Sequence, residues 1–115
     1  KYKINLQLTK YQPKQYFKTH YDWWNENEKS QIEIAGGQRK YTYFVYLKEV
    51  NGRGGETNFP KLNFKKKLKK GWAFFWDNLN SDGTGNTQTL HEGLKPLDDS
   101  KFGLNIWVID TTIKE

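Results

Sequence analysis

Apolar and polar positions alternate through much of the chain. Ile4, Leu6 and Leu8 are separated by polar residues, the period-two pattern of a strand with one apolar face. Tyr41, Tyr43 and Val45 interleave with Thr42, Phe44 and Tyr46, so both faces are bulky and a strand buried on both sides is expected. Trp72 to Trp76 is an unbroken apolar run, which reads as a central strand with Phe74, Phe75 and Trp76 in the core. Leu104, Ile106 and Val108 interleave with Asn105, Trp107 and Ile109 in a last strand. No window of about 11 residues repeats apolar positions at three and four with caps at both ends, so helices are few and short. A helical turn fits within Trp23 to Ala35, and Asp77 to Thr87 reads as a loop. Gly36-Gly37, Asn51-Gly52, Gly54-Gly55, Lys70-Gly71 and Asp82-Gly83 mark chain reversals. Many short strands with turns between them predict a sandwich, barrel or jelly roll.

Length narrows this to one domain, residues 1–115, because half of a 115-residue chain is too small to hold its own core. The apolar share, 35%, is low against a usual globular value of roughly 45–50%. Aromatics at 17% exclude a disordered chain and make large flat rings the core material. No run of about 18 apolar residues exists, which excludes a helical membrane span. With no cysteine, a disulfide framework and a thiolate metal site are excluded. The absence of methionine is expected of a processed or truncated product.

The formal charge of +6 favours anionic partners. Much of it sits in Lys65, Lys66, Lys67, Lys69 and Lys70. This run reads as a solvated connection between strands. A polyanion footprint is the less favoured reading, because no recognition-helix pattern surrounds it.

The chemistry-bearing residues are sparse. There are only two histidines, His20 and His91, and His20 stands two positions before Asp22. On an extended strand such a pair points to one face, about 6.6–7 Å apart along the backbone, with Tyr21 facing away. His-x-Asp alone is a weak signal, more often a surface hydrogen bond than a ligand pair. A distant histidine completing two imidazoles and one carboxylate on one side of an ion makes the ligand set of a non-haem Fe(II) oxygenase. Ten residues after His91 comes Lys101, at the start of the last aromatic-rich strand. An oxygenase of that class needs one buried cation for the remote carboxylate of 2-oxoglutarate.

At these residues the chain resembles the catalytic domain of the prolyl 4-hydroxylases, Fe(II)- and 2-oxoglutarate-dependent dioxygenases. Tyr11-Gln12-Pro13-Lys14-Gln15-Tyr16-Phe17-Lys18-Thr19-His20-Tyr21-Asp22 resembles the family's Tyr-x-x-Gly-Gln-x-Tyr-x-x-His-x-Asp. Gly54-Gly55-Glu56-Thr57-Asn58-Phe59-Pro60 matches Gly-Gly-Glu-Thr-x-Phe-Pro, and Lys70-Gly71-Trp72-Ala73-Phe74-Phe75-Trp76 matches Lys-Gly-x-Ala-hydrophobic-Phe-Trp. Gly36 to Arg39 with Thr42, and then Leu90-His91-Glu92-Gly93, Pro96, Lys101 and Trp107, match the remaining segments in order. The likeness spans Tyr11 to Ile109.

The resemblance implies a mainly β fold, a double-stranded β-helix (jelly roll) with few short helices. It also implies that helices which precede the domain in the family, and pack on its larger sheet, are lacking here. It makes His20, Asp22 and His91 the metal ligands and Lys101 the anchor for 2-oxoglutarate, with the Tyr11 and Thr57 hydroxyls beside it. Arg39 and Trp107 match positions that face the peptide. Implied cofactors are Fe(II) and 2-oxoglutarate, with ascorbate as reductant. Implied partners are O₂ and a proline-containing peptide or protein, while 2-oxoglutarate is decarboxylated to succinate. Two departures stand out. Lys14 replaces a glycine, which predicts a different turn before the metal strand, and Phe17 stands where tyrosine is common. Secretory members of the family use cysteines, so a chain without any is expected in the cytoplasm. Two other readings stay open: the same chemistry on a nucleic acid or small molecule, and a catalytically silent jelly-roll binding module.

Overall fold

The computed structural model describes residues 1–113. Its strands are β1 (Tyr2–Tyr11) and β2 (Phe17–His20), then, after the short helix α1 (Lys29–Ala35), β3 (Gln38–Tyr46), β4 (Thr57–Phe59), β5 (Phe64–Lys66), β6 (Ala73–Asp77), β7 (His91–Gly93) and β8 (Lys101–Asp110). They form two antiparallel four-stranded sheets, a larger one in the order β1-β8-β3-β6 and a smaller one in the order β2-β7-β4-β5. Two facing sheets with strands from both halves of the chain make the expected jelly roll. A single 3₁₀ turn (Glu26–Glu28), capped by Asn25, leads into α1, and Gly36 ends it in a left-handed conformation with its N–H on Ile32 O.

The core lies between the sheets and is aromatic. Phe44, Tyr46, Val50 and Leu68 are buried together, with Phe74 and Trp76 packed against them. Gly93 on β7 shows how tightly the layers meet. A Cβ there would stand 2.8 Å from the Tyr11 hydroxyl, so glycine is what lets the phenol lie on the strand.

Pairing register explains the alternation. On the larger sheet, Leu6, Ile106, Tyr43 and Phe75 form one cross-strand row, and Leu8, Leu104, Val45 and Ala73 form the next. These rows face outward. Leu8 is 73% exposed and Leu6 64%. The opposite face of the same strands carries Thr42, Phe44, Tyr46 and Trp107, which are buried. β3 is therefore buried on one side rather than two. The apolar run near Trp72 is likewise corrected. It forms β6, an edge strand, with Phe74 and Trp76 inward, Phe75 outward at 54% exposure, and Trp72 before the strand at 66%. An apolar run cannot reveal which of its faces another layer will cover.

Lys14 also differs from expectation. It adopts φ +72, the left-handed conformation that favours glycine, so the turn retains glycine-type backbone in spite of the lysine. Its N–H bonds to Pro96 O at 2.7 Å, which ties the turn to the segment after β7. The lysine run occupies β5, an edge strand, and the connection after it. Lys65, Lys66, Lys69 and Lys70 are exposed, and none of the run pairs with a carboxylate among the described residues. No helix is long and apolar enough to cross a membrane.

Candidate active site

The smaller sheet brings the two histidines together. β2 and β7 are antiparallel neighbours with His20 opposite His91, and the ring centroids lie 4.3 Å apart. Each ring is oriented by its own backbone. His20 Nδ1 is 2.7 Å from Lys18 O, and His91 Nδ1 is 2.7 Å from Thr89 O. A carbonyl only accepts, so Nδ1 carries the proton in both rings and the Nε2 lone pairs are left free.

Both Nε2 atoms face one oxygen, Oδ1 of Asp22, at 3.3 Å each. Asp22 lies just past the end of β2, in a bend, so the pair does not share a regular strand as its spacing suggests. The bend aims the carboxylate inward all the same, and Asp22 is 3% exposed. One ligand atom from each of His20, Asp22 and His91 lies within 4.8 Å of the others. The two 3.3 Å nitrogen–oxygen separations are close to what one ion bonded at about 2.0–2.2 Å holds on one side.

Three acceptors pointed at one spot repel unless a cation stands among them. The donor set, two imidazole nitrogens and one carboxylate oxygen, fits Fe(II) and leaves coordination positions open. A proton on Nε2 is the alternative relief. Consistently, the hydrogen bond to Asp22 raises the His20 pKa above its ordinary value, against the lowering effect of burial. Burial pushes the Asp22 carboxyl up, but hydrogen bonds from His20 and His91 in that Nε2-protonated form, together with the Trp107 N–H, outweigh it and hold the group well below the usual carboxylate range. The His20 side chain is 43% exposed and that of His91 9%, so the cluster opens on the His20 side. On the closed side, the Trp76 ring packs against His91 at 4.7 Å and Phe59 lies 5.7 Å away.

Lys101 begins β8 opposite Tyr11, the last residue of β1. Its side chain is fully buried, and Nζ has no hydrogen-bond partner among the described residues. Three rings surround the ammonium, Tyr11 at 4.7 Å, Tyr46 at 5.1 Å and Phe44 at 5.3 Å. Burial lowers its pKa to about 8, while the Glu56 carboxylate acts in the opposite sense. A buried ammonium costs several kcal/mol unless an anion meets it, and ring faces compensate only in part. The residues present thus fit a carboxylate ligand. The Tyr11 phenol is pushed above its usual range by burial, and further by Tyr46 and Asp22, so it stays neutral. Thr57, also buried, shares a 3.0 Å hydrogen bond with the Tyr46 hydroxyl.

Tyr11, Thr57, His20 and His91 line one recess between the sheets. Its free space is about 30 Å³, near the volume of one water. The rings of Phe17, Phe44 and Trp76 help to complete the lining. Phe17 is an exposed ring among them, stacked on Tyr11 at 4.6 Å.

The two positions matched to the peptide face also meet at Asp22. The Arg39 guanidinium lies between Trp107 at 3.6 Å and Trp24 at 4.4 Å, and its Nη1 donates to Asp22 O at 3.3 Å. The Trp107 ring is 8% exposed, and its Nε1 donates to Asp22 Oδ2 at 3.1 Å. A register shift between Arg39 and Tyr41 makes Lys40 an extra residue on β3. This bulge turns Arg39 to the inner side with Thr42, whereas strict alternation would send it outward. The sequence did not mark Tyr46, Thr42 and Trp76 as site residues, yet they reach the site as hydrogen-bond or ring partners of Thr57, Asp22 and His91, with Asn78 bonded behind Thr42. Their inward parity is visible in the alternation, but nothing in the chain marks them as neighbours of Asp22 or Lys101.

Comparison with known proteins follows the same lines. Residues 6–109 match the family model of the 2OG-Fe(II) oxygenase superfamily. The chain is 32% identical over 103 residues to the mouse prolyl 4-hydroxylase subunit alpha-3, covering 90% of this chain and 19% of that protein. It is 34% identical over 106 residues to a putative prolyl 4-hydroxylase of Acanthamoeba polyphaga mimivirus, covering 90% and 43%. The crystal structure of a viral collagen prolyl hydroxylase from Paramecium Bursaria Chlorella virus-1, as a 2OG complex, superposes with a TM-score of 0.82 at 35% identity. That match covers 95% of this chain and 60% of the other. The chain thus spans about a fifth of the mammalian relative and less than two thirds of the viral ones.

Proposed function

This chain belongs to the 2OG-Fe(II) oxygenase superfamily, and from that premise we propose that it is a dioxygenase hydroxylating peptidyl proline, with decarboxylation of 2-oxoglutarate to succinate. One observation carries the reading. The two histidines of a convergent acceptor set that calls for a cation line one recess with Tyr11 and Phe44, which surround a buried ammonium that calls for an anion. A catalytically silent binding module has no use for both. The choice of proline as acceptor rests on the relatives, which are named as prolyl 4-hydroxylases.

Fe(II), when bound, supplies the O₂ and C–H chemistry. The chain's own residues bind, orient and exclude water. His20, Asp22 and His91 hold the ion, and the Lys18 and Thr89 carbonyls keep the two imidazoles in the tautomer that ligates. Lys101 pairs with the remote carboxylate of 2-oxoglutarate, with the Tyr11 and Thr57 hydroxyls beside it. Trp76 and Phe59 close the inner side of His91 against solvent. Arg39 and Trp107 face the peptide, with Arg39 held in place between two indoles. Ascorbate serves as reductant to keep the iron ferrous. The described chain acts as one catalytic unit, and its lack of cysteine suits the cytoplasm.

A second reading, the same chemistry on a nucleic acid, is favoured by the lysine run on β5 and beyond it, which has no carboxylate partner among the described residues. One assay separates the two. Purified protein with Fe(II), 2-oxoglutarate, ascorbate and O₂ is given a proline-rich peptide or an oligonucleotide. Succinate release stimulated by the peptide, with a product heavier by one oxygen, is the expected result. Stimulation by the oligonucleotide alone moves the assignment to the second reading. No succinate in either arm overturns both.

A further inference from the structure

Asp22 has two carboxylate oxygens in different surroundings. Oδ1 faces the two histidines, while Oδ2 accepts from Thr42 Oγ1 at 2.9 Å and from Trp107 Nε1 at 3.1 Å. Behind Thr42 the bonds continue. Asn78 Nδ2 donates to Thr42 Oγ1 at 2.8 Å, and Trp76 Nε1 donates to Asn78 Oδ1 at 2.7 Å. Thr42 and Asn78 are both fully buried.

The direction of every bond is set by chemistry. An indole N–H only donates, so the Asn78 oxygen turns to Trp76 and its NH₂ to Thr42. A carboxylate only accepts, so the Thr42 hydroxyl spends its proton on Asp22 and receives the Asn78 amide on a lone pair. The chain of donors is one-way, from the edge strand to the acid. It is also anchored in the sheet. Trp107, Thr42 and Trp76 are register partners across β8, β3 and β6, one inward row of the larger sheet. Asn78 follows β6, and its backbone is fixed at both groups, its N–H on Lys40 O and its carbonyl accepting from Asn86 N. The far end returns to the site, because the Trp76 ring rests on His91.

We propose that Thr42, Asn78 and Trp76 are positioning residues: Thr42 bonds Asp22 Oδ2, and Asn78 and Trp76 fix Thr42 from behind, so that Oδ1 alone is presented to the metal. The proposal rests on the reading of His20, Asp22 and His91 as ligands. Its consequence is specific. A carboxylate held by one oxygen leaves a coordination position open, whereas a carboxylate freed at Oδ2 can rotate and lose alignment with the imidazoles. Partners one step behind a ligand typically change metal affinity by about 10- to 100-fold.

The test is titration of the metal-stripped full chain with Mn(II), followed by electron paramagnetic resonance of the free ion, which needs no turnover. Thr42→Val keeps the shape and removes the donor. It is expected to weaken Mn(II) binding by about 10- to 100-fold, while Thr42→Ser, which keeps the hydroxyl, restores affinity to within about threefold of the parent. Trp76→Phe keeps a ring on His91 and removes only the N–H, and a smaller weakening of at least about twofold is expected. Unchanged Mn(II) affinity in folded Thr42→Val overturns the proposal, as does Thr42→Ser behaving like Thr42→Val. If Thr42→Val does not fold, Trp76→Phe decides, and parental affinity there overturns it. Failure of the parent itself to bind Mn(II) overturns the ligand assignment instead.

Discussion

Two charged groups lie buried behind residues that line the same recess, and their surroundings are opposite. The Asp22 carboxylate meets both imidazoles, the Thr42 hydroxyl and the Trp107 indole. The Lys101 ammonium meets three ring faces and, among the described residues, no acceptor. Both residues are nearly or wholly out of solvent. The difference teaches which part of the site is finished by folding alone. The acid's Oδ2 is satisfied by the chain's own donors, so the carboxylate is oriented before any ligand arrives, with Oδ1 left for a cation. The lysine is left incomplete, so the fold carries an unmet demand for an anion, a cost that a ligand removes on binding.

The contrast can be broken most severely at the metal side. His91→Ala removes one of three ligands, and succinate release is expected to fall to background while circular dichroism still reports a β-sheet fold. Retained turnover would sink the ligand assignment.

At the other side Lys101→Met should act in two directions at once. Affinity for 2-oxoglutarate, measured by calorimetry with Mn(II) present, is expected to fall about 10- to 100-fold, matching charge-assisted bonds of roughly 1.5–3 kcal/mol. Stability of the ligand-free chain, measured by denaturant unfolding, should rise by about 1–4 kcal/mol because an uncompensated buried charge is gone. The same substitution at a satisfied group would lose on both counts.

Acidity sharpens the comparison further. Folded Lys101 loses its proton near pH 8 and the unfolded chain near 10.5. The unfolded state therefore binds more protons between those values, and stability from this group rises with pH in that window. Below pH 8 the penalty is present in full. The stability gap between Lys101→Met and the parent should shrink as pH rises from about 8 towards 10. Carboxylate binding restores the charged lysine, so at pH 8.5 it should take up protons, seen as a dependence of binding heat on buffer ionisation enthalpy. No proton uptake would mean that Lys101 is not the anchor.

The smallest effect is expected at Thr57→Val. It removes a hydroxyl bonded to Tyr46, while Tyr46 keeps its 2.9 Å bond to Gly55 O. Weakening of 2-oxoglutarate binding by about 0.5–1.5 kcal/mol, a few-fold to tenfold, is the expected outcome in the same calorimetric assay.

Much of the architecture was readable along the chain. Alternation located β1, β3 and β8, and the glycine pairs located the reversals. The ordered motifs from Tyr11 to Ile109 named residues that the fold does gather, His20, Asp22 and His91 within 4.8 Å and Tyr11 beside Lys101. Alternation failed where a strand's neighbours mattered. It could not show that β6 is an edge, that Tyr43 and Phe75 face outward, or that Lys14 takes a glycine's conformation.

The amino-acid sequence by itself determined which groups were available: two imidazoles, an acid two residues from one of them, a lysine opening the last strand, and alternating apolar strands to carry them. Local pattern suffices there because strand period and side-chain chemistry are properties of neighbouring residues. Only the tertiary structure decided that a one-residue bulge at Lys40 swings Arg39 over Asp22. It alone decided that Thr42 reaches the acid's second oxygen with Asn78 and Trp76 lined up behind it, and that Lys101 is sealed among rings without a hydrogen-bond partner among the described residues. Those facts depend on cross-strand register and on the facing of two sheets, which bring together residues tens of positions apart, and no local pattern encodes such a meeting.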